Sequence, residues 1–117
     1  MDLMYNYSDT QPPFVICEKH LGQKTYTINY NIEKLEEERL GQQYRYSTVT
    51  LPAGEYDRAT VISTIIRHRY SDDEMQAIIN NYLLDPSDEE SIGEFYEMQN
   101  YRRFAKSVAD RFVDYIG

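Results

Sequence analysis

The spacing of hydrophobic and polar residues divides the chain into a β-rich first half and a helical second half. Apolar and polar side chains alternate strictly over Tyr26–Ile32, and this period of two predicts a strand with one buried face. The short apolar run Phe14–Cys17 precedes it and predicts a first strand. Residues 1–13 are mostly polar and end in two prolines, which favours an extended lead-in.

A third β-rich run, Tyr44–Leu51, follows a charged connection over residues 34–43. Tyr44 and Tyr46 fall on one face of this run, whereas Val49 falls on the other. Such a change of phase predicts a β-bulge or a strand that changes partners. The connection itself is rich in glutamate, which is typical of a solvated hairpin tip or of one short helical turn.

After a Pro-Ala-Gly break the apolar residues are spaced three and four apart, which predicts three helices. Asp57 is the predicted N-cap of the first helix. Ser71 and Glu74 have the spacing of a capping box and predict the start of the second helix. The third helix follows an Asp-Pro-Ser turn, with either Asp85 or Ser87 as its N-cap.

Each predicted helix has an apolar stripe through which it can pack. In the second helix the stripe consists of Met75, Ile78, Ile79, Tyr82 and Leu83. The third helix extends from about Ser87 to Tyr115, a length of about 40 Å at 1.5 Å per residue. A helix of that length exceeds the width of a domain this small, so it must project, bend or pack against a second copy.

These elements predict a single α+β domain over residues 1–117. A two- or three-stranded antiparallel sheet within residues 14–51 packs against three helices within residues 55–117. Because a lone hairpin is marginal in water, the helices must cover the strand face that carries Ile28. We therefore expect either Ile28→Asp or Ile79→Asp to unfold the whole chain.

Negative charge is concentrated in one part of the helical half. Nine of the 20 acidic residues lie between Tyr70 and Tyr101, where there is no Lys or Arg. The remaining 11 acids are balanced by 12 bases, so the net charge of −8 arises in this window. Six of the nine acids fall in the first turns of two helices, where carboxylates stabilise the helix dipole. Glu94 and Glu97 have no such role, so a docking surface would depend on them.

The aromatic residues are unusual, with twelve tyrosines and no tryptophan. A tyrosine packs its ring while its hydroxyl stays in water, which suits half-buried strand faces and protein interfaces. The predicted interaction surface consists of Tyr44, Tyr46, Glu94, Glu97 and Tyr101. The alternative is that the tyrosines form the aromatic rim of a small domain.

Three residues are candidates for chemistry: Cys17, His20 and His68. Cys17 and His20 are spaced like half of a zinc site, but zinc requires three or four ligands. We therefore predict no metal and no cofactor. A free cysteine in an apolar strand is usually a small buried hydrophobe, although a nucleophilic pair of Cys17 and His68 is an alternative. The chain is predicted not to be an enzyme.

A basic tripeptide, Arg67-His68-Arg69, ends the first predicted helix. Cations at a helix C-terminus are stabilised by the helix dipole, so these residues have a structural explanation. The alternative is an anion-binding or acid–base cluster at the corner between two helices.

Composition also limits the location and the partners of the protein. The first residues lack the basic and apolar regions of a signal peptide, and no run approaches the ~20 apolar residues of a membrane helix. The single cysteine excludes an internal disulfide and fits a reducing compartment. An isoelectric point near 4.7 argues against direct nucleic-acid binding, which needs clustered Lys and Arg. The prediction is a cytoplasmic protein with neither a membrane nor a nucleic-acid partner.

The C-terminal half resembles small uncharacterised proteins carried by phages and prophages of gut Bacteroidales. The stretches that carry the resemblance are Leu51-Pro52-Ala53-Gly54, Ile65-Ile66-Arg67 and Tyr70–Leu83. The resemblance implies a structural, assembly or host-interaction role, in the host cytoplasm or on the virion. It names no reaction.

We thus predict a non-enzymatic structural, assembly or interaction protein. Its partner would be another protein or a second copy of the chain, as in a homo-oligomer. The alternative is an acidic decoy or inhibitor that occupies a basic surface of a host protein, and a third hypothesis is a Cys/His-dependent enzyme.

Overall fold

The computed structural model describes residues 5–39 and 41–117, and in this part of the chain four strands precede three helices. The strands are β1 (Asn6–Ser8), β2 (Val15–His20), β3 (Gln23–Arg39) and β4 (Gln42–Thr50). The helices are α1 (Arg58–Arg69), α2 (Asp72–Leu84) and α3 (Glu89–Ile116). This order confirms the predicted α+β class.

The four strands form one antiparallel sheet in the order β1-β4-β3-β2. The sheet has one strand more than the largest number predicted, because β1 lies inside the predicted lead-in of residues 1–13. β1 is only three residues long and pairs with Tyr44–Tyr46 of β4. The predicted connection over residues 34–43 is also mostly strand, since β3 continues to Arg39. Pairing with β4 across the hairpin keeps this charged segment extended.

The bulge predicted for the Tyr44–Leu51 run lies in β3 and not in β4. Tyr30 pairs with Ser47 and Glu33 pairs with Arg45, so β3 contains one extra residue between these pairs. Asn31 has a φ of 54°, a left-handed conformation that asparagine tolerates better than most residues. The alternation of β4 is unbroken.

Helices α1 and α3 cover one face of the sheet and enclose the core with it. The ring of Phe112 on α3 packs edge-on against Tyr26 of β3, with 5.3 Å between ring centroids. The two helices are antiparallel, as shown by ion pairs of Arg58 with Asp110 and of Arg69 with Glu97. The completely buried apolar side chains are Ile28, Val61, Ile65, Met98, Ala105, Ala109 and Phe112.

Helix α2 lies outside this core and packs mainly along the N-terminal half of α3. It has no fully buried residue, although Tyr82 stacks on Phe95 of α3 at 4.2 Å between centroids. The predicted stripe is wrong at Leu83, which is 68% exposed, and the neighbouring Leu84 is 86% exposed. The long α3 helix therefore supports α1 and the sheet with one half and α2 with the other.

Local capping interactions fix the starts of the helices. Asp57 accepts a hydrogen bond from the Thr60 N–H, and the capping box of α2 is complete, so both predictions are confirmed. The prediction for α3 was wrong: its N-cap is Asp88. The carboxylate of Asp85 instead accepts from the Ser87 N–H and hydroxyl, which closes the preceding turn and leaves Asp88 to cap the helix.

The Asp88 cap predicts a specific dependence of stability on pH. The N–H and, secondarily, the hydroxyl of Ser91 donate to its carboxylate and lower the pKa of Asp88. A lowered folded-state pKa means that the stabilisation is complete above the ordinary value of about 4 and is lost as pH falls through the folded value. Asn also caps helices but does not titrate. Urea unfolding at pH 6 and pH 3 should show a smaller loss of stability in Asp88→Asn than in the natural chain; equal losses would contradict the role of this cap.

Candidate functional site

A cleft of about 380 Å³ opens where the end of α1 meets α2 and α3. Its lining residues come from all three helices: Arg69, Tyr70, Glu74, Ala77, Ile78, Asn81, Glu94 and Glu97. The cleft thus contains both of the acids that helix capping left unexplained in the sequence. Three carboxylates and one guanidinium line it, which makes it formally negative.

Helical periodicity places these side chains together. Glu74, Ile78 and Asn81 recur at intervals of four and three residues, so they share one face of α2. Glu94 and Glu97 lie one turn apart on α3 and complete the opposite wall. The small side chain of Ala77 and the apolar one of Ile78 supply the non-polar part of the surface. The cleft therefore combines acidic groups with an apolar wall.

Arg69 shows how a guanidinium is held at this cleft. Its side chain pairs with Glu97 and is 22% exposed. The guanidinium carbon lies 5.1 Å from the centroid of the Tyr70 ring and 5.0 Å from that of Tyr101. Attraction between a cation and the faces of aromatic rings adds to the ion pair. The site already binds one arginine of its own chain with a carboxylate and two rings.

Glu74 and Glu94, the other two carboxylates of the cleft, differ in whether they already have a hydrogen-bonding partner. Glu74 accepts a hydrogen bond from the Ser71 N–H at 3.2 Å as part of the capping box. Glu94 makes no hydrogen bond or ion pair with any residue in the described part of the chain. The cleft can therefore accept one further cation at Glu94 without breaking an existing ion pair.

The two tyrosines beside Arg69 are structural groups. Burial raises the pKa of Tyr70 and of Tyr101, so both phenols stay neutral at physiological pH. Tyr101 is only 7% exposed, and its hydroxyl donates to the Ile65 carbonyl at 3.2 Å. The prediction that Tyr101 belongs to an interaction surface is therefore wrong, because α1 covers its ring.

Tyr44 and Tyr46 are not brought to the cleft. Ser47 and Val49 of β4 face the helices, so the alternation of the strand directs Tyr44 and Tyr46 to the face of the sheet opposite the helices. Of the predicted surface, the fold assembles Glu94 and Glu97 alone. The sequence suggested Arg69 only as part of a basic helix end or of an anion-binding cluster, and it did not predict the ion pair of Arg69 with Glu97 across the cleft.

The residues considered for metal binding or catalysis, Cys17, His20 and His68, do not lie together in the fold. Cys17 and His20 are three positions apart on β2, so their side chains point to opposite faces of the sheet. Cys17 is exposed, contrary to the prediction that it is buried, because β2 is an edge strand. β3 separates β2 from β4, so Cys17 and the part of α1 that carries His68 lie at opposite edges of the sheet. No group of three or more metal-ligating side chains occurs in residues 5–39 and 41–117.

A second polar feature lies inside the protein, between α1 and the sheet. The Tyr30 hydroxyl, Ser47 Oγ and His68 Nε2 are buried, and each lacks a well-formed hydrogen bond within the described part of the chain. Tyr30 pairs with Ser47 across the strands, and its ring lies 6.4 Å from that of His68. Burial, and secondarily the neighbouring Tyr101 hydroxyl, raise the pKa of Tyr30. No sequence pattern links these three residues, since only the strand register and the packing of α1 bring them together.

Comparison of the chain with family models, curated proteins and solved structures found no match. Among the helices of the described residues, none combines the length and the apolar character that crossing a membrane requires.

Proposed function

We propose that this chain is a non-enzymatic protein-interaction protein that binds a basic side chain of its partner in the acidic cleft between α2 and α3. The observation that carries this proposal is the position of Glu94, a carboxylate without a partner among the described residues, in a cleft where Arg69 is already held by Glu97. The cleft thus displays an internal example of the interaction that it would make with a partner.

Exposed apolar residues on α2 and α3 support a protein partner over a small cation. Leu83 and Leu84 at the end of α2, and Tyr96 on α3, are large apolar residues that remain exposed. Protein interfaces commonly combine an apolar, aromatic centre with charged groups at the rim. A basic side chain in the cleft would place its own protein against this end of the molecule.

The distribution of chemical residues supports a binding role over catalysis. A mechanism based on Cys17 and His68 would need both at one place, yet they lie at opposite edges of the sheet. The resemblance of the C-terminal half to phage and prophage proteins suggests phage assembly or host interaction as the setting.

The alternative proposal relies on the same acidic side chains. In it, the chain is an acidic decoy that binds a basic surface of a host protein. It would use the exposed Asp72 and Asp73 of α2 together with the cleft, because all of these acids lie on neighbouring turns. A decoy needs many simultaneous charge contacts, so its complex would weaken steeply with added salt. Docking in the cleft depends on one cation and nearby apolar contacts, and would depend less on salt.

Titration with a blocked glycine–arginine–glycine peptide tests the cleft directly. Amide shifts in nuclear magnetic resonance spectra should change around the cleft, and the neutral citrulline analogue should cause much smaller changes. Glu94→Gln should weaken arginine binding by about fivefold, since an exposed ion pair contributes up to ~1 kcal/mol. Glu90→Gln is the matched control, because Glu90 lies on the same helix but does not line the cleft.

Equal affinity of the arginine and citrulline peptides would refute the proposal, as would an effect of Glu90→Gln as large as that of Glu94→Gln. Self-association requires a separate measurement, because a second copy could supply exposed Arg103 or Lys106 from α3. If the partner is a second copy, light scattering should detect an oligomer whose dissociation constant rises about fivefold in Glu94→Gln.

A further inference from the structure

Helix α2 carries a second row of side chains besides the stripe that packs on α3. Glu74, Ala77, Asn81 and Leu84 follow one another at intervals of three, four and three residues, so they lie on one side of α2. The first three line the acidic cleft, and Leu84, which is almost fully exposed, continues the row by one helical turn. Leu83 is two residues from Asn81 and lies on the opposite side of α2. Of the two exposed leucines, Leu84 is therefore the one that borders the cleft.

Leu84 and Glu94 lie at nearly the same height along the pair of helices. A turn over residues 85–88 joins α2 to α3, so the two helices run in opposite directions. Tyr82 of α2 stacks on Phe95 of α3, which fixes their relative height. Leu84 is two residues after Tyr82 and Glu94 is one residue before Phe95, so only about 1.5 Å separates their levels. An exposed apolar side chain and an unpaired carboxylate thus border the cleft at one level.

Helix α1 shows which kind of element this side of α3 accommodates. The Tyr101 hydroxyl donates to the Ile65 carbonyl of α1, and Arg69 in the last turn of α1 pairs with Glu97. Glu94, Glu97 and Tyr101 follow one another at intervals of three and four residues, so they share one side of α3. α1 contacts that side as far as Glu97 and ends at Arg69. The cleft continues the same side of α3 beyond the end of α1.

The spacing of both walls of the cleft fits a helix better than an extended segment. The side chains on each wall recur about once per helical turn, which is a distance of about 5.4 Å. Side chains on one side of another helix recur at the same distance, whereas those on one face of an extended strand recur about every 6.6 Å. Helices pack by placing the side chains of one between those of the other. The small, exposed side chain of Ala77 leaves room for a helix to approach α2.

The charges of the cleft specify a basic residue on such a helix. Three carboxylates line the cleft, from Glu74, Glu94 and Glu97. Of the described residues that line it, Arg69 is the one cation, and Glu97 already pairs with it. An acidic residue on the bound helix would therefore be repelled, whereas a basic residue would find a partner in Glu94.

We propose that the acidic cleft binds an α-helix of a partner protein that carries a basic residue and, one helical turn away, a large apolar residue. This inference rests on the function proposed above and adds the form of the partner. The basic side chain would pair with Glu94, and the apolar side chain would cover Leu84. The bound helix would continue the position of α1 along α3, and its basic residue would repeat the contact that Arg69 makes with Glu97. This is recognition of an amphipathic helix in a groove.

The test uses three blocked peptides of alanine and glutamine with one central arginine, each of about 17 residues so that a helix can form in water. The first peptide has leucines four positions before and after the arginine, so either direction of binding brings one leucine to Leu84. The second has its leucines two positions before and after the arginine, on the opposite side of the helix. The third is the first peptide with a proline beside the arginine, which breaks the helix.

The first peptide should bind about fivefold more tightly than the second, the gain expected when about half of a leucine side chain is buried. The third peptide should lack that gain. Titration followed by nuclear magnetic resonance measures the three affinities. Leu84→Ala should abolish the difference between the first two peptides. Leu83→Ala is the matched control and should preserve it, because Leu83 is also exposed but lies on the other side of α2.

The outcomes separate this inference from the function on which it rests. Equal binding of the first two peptides, or full affinity of the proline peptide, would overturn the helical partner even if the glycine–arginine–glycine peptide still binds at Glu94. If that short peptide does not bind, the proposed function fails and this inference fails with it. An equal effect of Leu83→Ala and Leu84→Ala would contradict a contact at Leu84. If the Leu84 resonance shifts with protein concentration alone, a second copy occupies the cleft in place of a different protein.

Discussion

Replacement of Ile28 by aspartate should unfold the whole domain. Ile28 is completely buried at the centre of the sheet, opposite Val15 on β2 and Val49 on β4. The surrounding core consists of aliphatic and aromatic side chains, so a carboxylate there would have no charged partner. Burial of an unpaired charge costs several kcal/mol, comparable with a total stability of about 5–15 kcal/mol. Circular dichroism should show loss of both sheet and helix.

Two further aspartate substitutions, at Ile16 and at Ile79, should have smaller effects than Ile28→Asp. Ile16→Asp is the matched control, because Ile16 lies on the face of β2 opposite the helices and is 39% exposed; the substitution should cost about 1 kcal/mol or less. Ile79→Asp should loosen α2 from α3 without unfolding the sheet, since α2 has no fully buried residue. This differs from the expectation drawn from the sequence pattern, which treats Ile79 as a core residue. Intact helices α1 and α3 in Ile28→Asp would contradict the prediction for Ile28.

Truncation of Phe112 to alanine should be the most damaging change on α3. Its ring is completely buried and packs edge-on against Tyr26, so it joins the C-terminal half of α3 to the sheet. Removing a buried phenylalanine side chain costs about 3–5 kcal/mol through lost burial and the cavity that remains. Urea denaturation should show a lower midpoint in one cooperative transition, because α3 also supports α1.

Val113→Ala provides the control for Phe112→Ala. Val113 is the next residue of the same helix but lies on its exposed side, so its truncation should change stability by about 0.5 kcal/mol. If the two variants were equally stable, the C-terminal half of α3 would not hold the sheet as the structure shows.

Local chemistry made parts of the fold predictable from sequence. The alternation of Tyr26–Ile32 depends on the two faces of a single strand, and the caps at Asp57 and Ser71 depend on residues within one turn. These patterns need no knowledge of the rest of the chain, and the structure confirms them. Prediction was wrong at Asp88 because three candidate caps compete over four residues, and the turn closed by Asp85 decides between them.

The candidate sites were predictable only in part. Excess charge identified Glu94 and Glu97, because helix capping explains the other acids in their window. Their place in a cleft depends on how α2 packs along α3, and the exposure of Cys17 depends on β2 being an edge strand. Tyr101 belongs to the 3/4 spacing of α3, which favours burial, and its assignment to the surface neglected that spacing.

By itself, the sequence determined the α+β order, most helix starts and an acidic window with two unexplained carboxylates, because alternation, capping and charge act between near neighbours. The tertiary structure alone decided that β1 covers a small part of β4, that β3 bulges at Asn31, and that Arg69 meets Glu97. These features join residues that are far apart in the chain. Their formation depends on strand register and helix packing, which no local pattern encodes.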